Sequence, residues 1–132
     1  MTDRDELTGW MRALRRDFHR QPEFGFEESR TASVVAETLR DLGWKVTTGV
    51  GGTGVVATLV RGRSNRAIAL RADMDALRIT EATGAAWAST RDGLMHACGH
   101  DGHTAMLLGA ARLLAREGAL LTTASLHPAG PS

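Results

Sequence analysis

The sequence predicts an α/β protein in which helices pack in layers on a mixed β-sheet. Three segments carry apolar residues at helical spacing, and short β-branched runs bounded by glycine lie between the second and the third of them. The 132 residues are 42% hydrophobic and 23% charged, close to the averages of globular domains, so a disordered chain is not expected. This length suits one domain or part of a larger one.

The first predicted helix runs from Asp3 to Arg20. Asp3 is expected to cap its start, and Pro22 cannot continue it. Its apolar face repeats at spacings of four, three and four residues and comprises Leu7, Met11, Leu14 and Phe18.

Two further helices are predicted, over residues 27–42 and 101–117. Gly43 and Gly118 follow them, at the position where a left-handed residue commonly ends a helix. Asp101 is the expected N-cap of the third helix.

Four strands are predicted from β-branched and apolar runs, over residues 44–50, 54–60, 66–71 and 120–126. The third of them, RAIALR, is a mostly apolar run, which predicts burial on both faces.

Charge and apolar content exclude several classes of partner. Sixteen Lys and Arg against fifteen Asp and Glu leave a formal charge of +1, which favours neither nucleic acid nor an anionic membrane. No run approaches the roughly 20 apolar residues of a membrane span, and the charged start does not resemble a signal peptide. The single cysteine, Cys98, excludes an internal disulfide and favours a reducing compartment, so a cytoplasmic location is expected.

Four potential metal ligands occur within the segment MHACGHDGH. In an extended segment His96, Cys98 and His100 would share one face, and thiolate and imidazole are ligands that Zn²⁺ prefers. His103 falls inside the following helix and is the weaker ligand candidate, whereas Asp101 can cap that helix or orient a ligating histidine. The alternative is a helix start that contains histidines without binding a metal.

Two carboxylates, Asp73 and Asp75, directly follow the third predicted strand. Their spacing lets both project into the crevice at the carboxyl end of that strand, where either could hold a metal-bound histidine or bind a cation. A turn with solvated acids is the alternative. The segment from His19 to Glu27 contains a fixed turn at Pro22 and Gly25, and a structural role is predicted for it.

Three stretches together resemble one family. HRQPEFGFEESRTA (19–32), IALRADMDAL (68–77) and MHACGHDGHTAMLLGAA (95–111) are similar to the amidohydrolases of peptidase family M20, in particular the hippurate, N-acyl-amino-acid and auxin-conjugate hydrolases. The resemblance implies a partial zinc-exopeptidase-like domain. Residues 1–132 would form the N-terminal part of the catalytic domain, without the lid or dimerisation domain.

The resemblance also implies a chemistry. Two divalent cations, zinc, manganese or a similar metal, would activate water to cleave the amide bond of an N-acyl amino acid. Cys98 and His100 fall at metal-ligand positions, Asp73 at the position of an acid that supports the metal site, and Asp75, Asp101 and His103 around them. Intact members of the family are often homo-oligomers.

The sequence departs from the family near its end. Where the family has Gln-Pro-Ala-Glu-Glu, with the general base and a further ligand, this chain reads HPAGPS, so Gly130 and Pro131 replace the two glutamates. Arg78 also replaces the proline usual after DAL. No catalytic base is therefore retained, and a truncated chain is expected. The alternatives are a non-catalytic remnant that binds metal weakly or not at all and, less strongly supported, redox sensing through Cys98.

Overall fold

The computed structural model describes residues 2–116 and the backbone of 123–129. These residues form three helices and four strands, which follow one another as two helices, three strands, a helix and a strand. They are α1 (Asp3–Arg20), α2 (Ser29–Asp41), β1 (Lys45–Val50), β2 (Gly54–Val60), β3 (Ile68–Asp73), α3 (His100–Arg116) and β4 (Thr123–Ala129).

The four strands form one mixed sheet in the order β1-β2-β4-β3. β1 pairs with β2, and β2 with β4, in antiparallel fashion, whereas β3 and β4 run parallel and are connected through α3. Leu70 lies beside Leu126 and Asp73 beside Ala129 in that parallel pair. The predicted α/β class with helices on a mixed sheet is confirmed. Because β3 and β4 are parallel, their carboxyl ends lie side by side at one end of the sheet, which is where open α/β sheets place ligands.

The core lies between the helices and the sheet. α1 packs against α3, α2 against β1 and β2, and α3 against β3. The Trp44 indole is buried and donates a hydrogen bond to the carbonyl of Ala111 at 3.2 Å, which joins the start of β1 to the middle of α3. The largest apolar side chains with almost no exposure are Phe18, Val35, Leu39, Val55, Met74 and Leu108.

Thr2, rather than the predicted Asp3, is the N-cap of α1. The Thr2 hydroxyl accepts from the Asp5 amide at 3.1 Å, and the Asp5 carboxylate accepts from the Thr2 amide at 3.2 Å. The hydrogen bonds from the Thr2 side chain and backbone lower the pKa of Asp5. Asp3 already has helical geometry, so the capping role passes to the residue before it.

Glu23 caps α2 from outside the helix. One carboxylate oxygen accepts from the Thr31 amide at 2.6 Å and from the Thr31 hydroxyl at 2.7 Å, and the other accepts from the Arg30 amide at 3.0 Å. Glu28 occupies the N-cap position but makes no capping bond, because its buried side chain binds the Phe26 amide and the Thr53 hydroxyl instead. The predicted structural role of the segment from His19 to Glu27 agrees with these bonds.

Phe26 is the non-glycine residue with a left-handed backbone among those the structure describes; its φ is +64°, and the residue is 70% exposed. Most residues in that conformation are strained, whereas asparagine tolerates it. We expect Phe26→Asn to raise the free energy of unfolding by about 0.5–1 kcal/mol, since little packing is lost. Urea denaturation measures this change. Phe26→Ala is the control: it removes the ring but keeps the strain, so an equal gain from alanine would contradict the explanation.

The prediction that RAIALR is buried on both faces is wrong. Ile68 is 65% exposed and Leu70 is also exposed, and the buried residue in this strand is Ala72. β3 pairs only with β4 among the described residues, so it lies at an edge of the sheet. The apolar run therefore reflects a preference for strand structure and does not indicate burial.

Some expectations lie outside the described residues. They concern Gly118, the start of the last predicted strand at residue 120, and the replaced positions Gly130 and Pro131. Within the described part of the chain, each helix is too short or too polar to cross a bilayer.

Candidate metal centre

A linker of residues 74–99 joins β3 to α3 and carries three of the candidate site residues, Asp75, His96 and Cys98. Leu77 and Met95 exchange backbone hydrogen bonds of 2.9 and 3.0 Å, which brings the two ends of the linker together. The Ala76 amide donates to the Glu23 carbonyl at 2.8 Å, and the Thr90 amide donates to the Arg20 carbonyl at 2.8 Å. These bonds hold the MHACGH segment beside the residues that follow β3.

Asp75 orients the His100 ring. The Nδ1 atom of His100 lies 2.8 Å from the Asp75 carboxylate and 3.1 Å from the Asp75 carbonyl. Two acceptors at Nδ1 assign the proton to that nitrogen, so Nε2 keeps its lone pair. A carboxylate behind the imidazole is the usual arrangement of a metal-binding histidine.

Asp73 has different partners. Its carboxylate lies 2.7 Å from the Arg71 guanidinium, and its carbonyl accepts from the Thr104 hydroxyl at 3.0 Å. The two carboxylates expected in one crevice thus contact different groups: Asp75 contacts His100, and Asp73 pairs with a neighbour on its own strand.

The expected alternation of His96, Cys98 and His100 on one face is wrong. The chain bends at Cys98 and Gly99, where φ is +83°, so the segment is not extended. His96 is buried, Cys98 is exposed and His100 is half-buried. His103 is exposed on α3, and its ring centroid is 5.9 Å from that of His100.

His96 is a buried histidine whose two ring nitrogens have no hydrogen-bond partner among the described residues. Burial lowers the pKa of His96 to about 4, and repulsion from the His19 and His100 rings when these are protonated adds to this effect. The carboxylates of Asp101 and Asp75 act in the opposite direction. The ring is therefore neutral at pH 7 and keeps one lone pair free.

Asp101 lies in the first turn of α3, and its predicted N-cap role is wrong because the helix begins one residue earlier, at His100. Its Oδ2 atom accepts from His19 Nδ1 at 2.8 Å and from Arg15 Nε at 3.0 Å. The opposite nitrogen of His19, Nε2, lies 2.8 Å from the Glu81 carboxylate.

Sequence reasoning missed Arg15 and Glu81 in this cluster. Arg15 lies one helical turn before His19 on α1, so its spacing was a signal that both reach the same partner. Burial opposes ionisation of Glu81, but hydrogen bonds from Thr83 and the Ser89 amide, with the charge and hydrogen bond of His19, outweigh it and lower the pKa of Glu81. No local pattern marks Glu81 as buried.

The donors that are present suit a divalent metal but do not complete a site. Within residues 2–116, no group of three or more His, Cys, Asp or Glu side chains is placed to hold a metal ion. Cys98 and His100 offer a sulfur and a nitrogen, the donor types that zinc and similar cations prefer. An oriented His100 and an unpartnered buried His96 fit a metal centre that takes further ligands from elsewhere.

Known proteins are similar to this chain in sequence and in fold. The family model described as peptidase family M20/M25/M40 matches residues 69–125. The chain is 46% identical over 112 residues to the hippurate hydrolase of Campylobacter jejuni. The aligned region covers 85% of this chain and 29% of that protein. It is also 46% identical over 112 residues to the N-acyl-L-amino acid amidohydrolase of Geobacillus stearothermophilus, covering 85% of this chain and 30% of that protein.

A solved structure from Bacillus subtilis, described as a dinuclear metal-binding peptidase of the M20 family, superposes with a TM-score of 0.89 and 37% identity. The superposition covers 96% of this chain and 36% of that one. The chain thus spans about a third of the length of the relatives it matches. Its sequence, its fold and the segment that carries Asp75, Cys98 and His100 show that it belongs to peptidase family M20/M25/M40.

Proposed function

We propose that this chain carries the first ligands of a metal-dependent amidohydrolase that cleaves the amide bond of N-acyl amino acids such as hippurate. The names of its relatives, a hippurate hydrolase and an N-acyl-L-amino acid amidohydrolase, support this reaction class. In this proposal, residues 1–132 are the N-terminal part of the catalytic domain.

The hydrogen bond between Asp75 and His100 is the observation that carries the proposal. It fixes the ring so that the lone pair of Nε2 is free to bind a cation, two residues along the chain from the exposed thiol of Cys98. Cys98 and His100 would hold the cation, and Asp75 would keep His100 in the ligating tautomer. Asp73, Asp101 and His103 lie around these residues and would support the site.

A divalent cation held there would supply Lewis-acid activation of water and of the amide carbonyl. The metal would be zinc, manganese or a similar ion, and two per intact site fit the dinuclear relative. In this proposal the substrate is a small molecule, and the intact protein forms a homo-oligomer. Its location would be the cytoplasm, which suits a chain with one free cysteine.

The second candidate is a non-catalytic remnant with weak metal binding. The lack of a group of three donors within residues 2–116 favours it. Hydrolysis of an N-acyl amino acid by the 132-residue chain would exclude it, because a remnant lacks the full donor set.

Titration with Co²⁺ tests the ligand assignment, because a thiolate ligand gives cobalt a charge-transfer absorption. We expect Cys98→Ser to abolish that absorption and to weaken Co²⁺ binding by about tenfold or more. Met106→Ser is the matched control, since it removes an exposed sulfur from α3 outside the candidate site. A Cys98→Ser protein that binds Co²⁺ with unchanged affinity and spectrum would show that the thiol is not a ligand.

A further inference from the structure

A buried ionic cluster adjoins the ligand segment, and of its members only Asp101 has been given a part in the proposed site. It consists of His19, Asp101 and Glu81, whose side chains are 5%, 1% and 4% exposed, together with the half-exposed Arg15. Hydrogen bonds of 2.8 Å join each ring nitrogen of His19 to one of the two carboxylates.

The charges of this cluster balance when both carboxylates are ionised and both ring nitrogens of His19 donate hydrogen bonds. An ionised carboxylate can only accept hydrogen bonds, so both nitrogens of His19 must donate. The imidazolium and the Arg15 guanidinium then offset the charges of Asp101 and Glu81. Two carboxylates buried at one site repel each other strongly when no cation lies between them.

The two carboxylates lie in different elements next to the ligand segment. Asp101 follows His100 in the first turn of α3. Glu81 lies in the linker that ends at Cys98 and Gly99, where it also accepts from the Ser89 amide at 2.9 Å and from the Thr83 hydroxyl. His19, on α1, therefore contacts both the linker, through Glu81, and the first turn of α3, through Asp101.

We propose that His19 is a positioning residue of the metal centre. By binding Asp101 and Glu81 together, it holds the linker against α3 and keeps Cys98 and His100 in position to bind the same metal. This inference rests on the proposed function, in which these two residues bind the metal. His19 itself touches neither the metal nor the substrate.

The first test is made without metal, on His100. Long-range ¹H–¹⁵N correlation of the full 132-residue chain reports which ring nitrogen carries the proton. We expect one tautomer with the proton on Nδ1 in the wild type, and a mixture of tautomers in His19→Gln, because the first turn of α3 loses its anchor. Glu28→Gln is the matched control: it alters an equally buried carboxylate at α2 and should leave His100 unchanged.

The second test measures Co²⁺ affinity in the same proteins. We expect His19→Gln to weaken binding by about tenfold or more, as loss of an outer support commonly does, and Glu28→Gln to stay within about twofold. An unchanged tautomer and an unchanged affinity in His19→Gln, or equal losses in both variants, would overturn the proposal. If the wild type binds no Co²⁺, the proposed function fails, and the tautomer measurement alone decides whether His19 positions His100.

A second variant covers the case in which His19→Gln does not fold. Glu81→Ala removes the linker side of the clamp, but Asp101 keeps both of its hydrogen-bond partners, His19 and Arg15. We expect it to broaden or mix the His100 signals and to weaken Co²⁺ binding by several-fold. A Glu81→Ala protein identical to the wild type in both measurements would overturn the proposal.

Discussion

Replacing Asp75 with alanine is expected to weaken Co²⁺ binding by about 10- to 100-fold while the chain stays folded. The carboxylate is the charged partner of His100 Nδ1, at 2.8 Å, and the loss of such a partner commonly costs this much metal affinity. Without it, the imidazole is less basic and rotates or changes tautomer more freely. Titration with Co²⁺, followed by absorption, measures the change, and circular dichroism checks the fold.

Asp73→Ala is the comparison for this prediction, since Asp73 lies near the proposed site without contacting a candidate ligand. Asp73 lies two residues away, has the same charge, and pairs with Arg71 instead of a candidate ligand. Its replacement should weaken Co²⁺ binding by less than about threefold, since its partner is the half-exposed Arg71 and such a pair contributes little. A larger loss in Asp73→Ala than in Asp75→Ala would assign the supporting role to Asp73, which is the residue that the family resemblance favours.

The largest loss of stability is expected from Glu23→Ala. The Glu23 carboxylate is buried and satisfies the Thr31 amide, the Thr31 hydroxyl and the Arg30 amide at the start of α2. Its removal leaves buried donors without acceptors and deprives the helix of its cap. We expect the free energy of unfolding to fall by about 3 kcal/mol, as measured by urea denaturation.

Glu27→Ala serves as the comparison, because Glu27 belongs to the same segment but is exposed. A surface substitution of this kind should change stability by less than about 0.5 kcal/mol. Similar losses from the two variants would mean that charge near α2, and not the hydrogen bonds of Glu23, stabilises the helix.

Local periodicity was sufficient to predict most of the fold. The predicted bounds of α1 and β2 match the structure at both ends, because an apolar face at helical spacing and a β-branched run after a glycine turn are encoded within a few residues. The segment from Asp73 to Asp75 and the histidines near Cys98 were likewise visible as clusters of donors.

What sequence could not predict depends on contacts between distant residues. The use of Asp101 as the partner of His19 and Arg15, instead of an N-cap, follows from the packing of α1 against α3. The exposure of Ile68 goes with the position of β3, which pairs on one side only within the described part of the chain, and the residues of the strand do not encode that position. The bend at Gly99 separates side chains that a regular strand would have aligned.

The contacts that anchor the first turn of α3 join residues that lie far apart along the chain. His19 and Asp101 are 82 positions apart along the chain, His19 and Glu81 are 62 apart, and Asp75 and His100 are 25 apart. Contacts across such loops cost closure entropy and form slowly. Uptake of a cation would therefore be a late event on a preassembled scaffold, in contrast to zinc fingers, in which the ion itself drives the chain to fold.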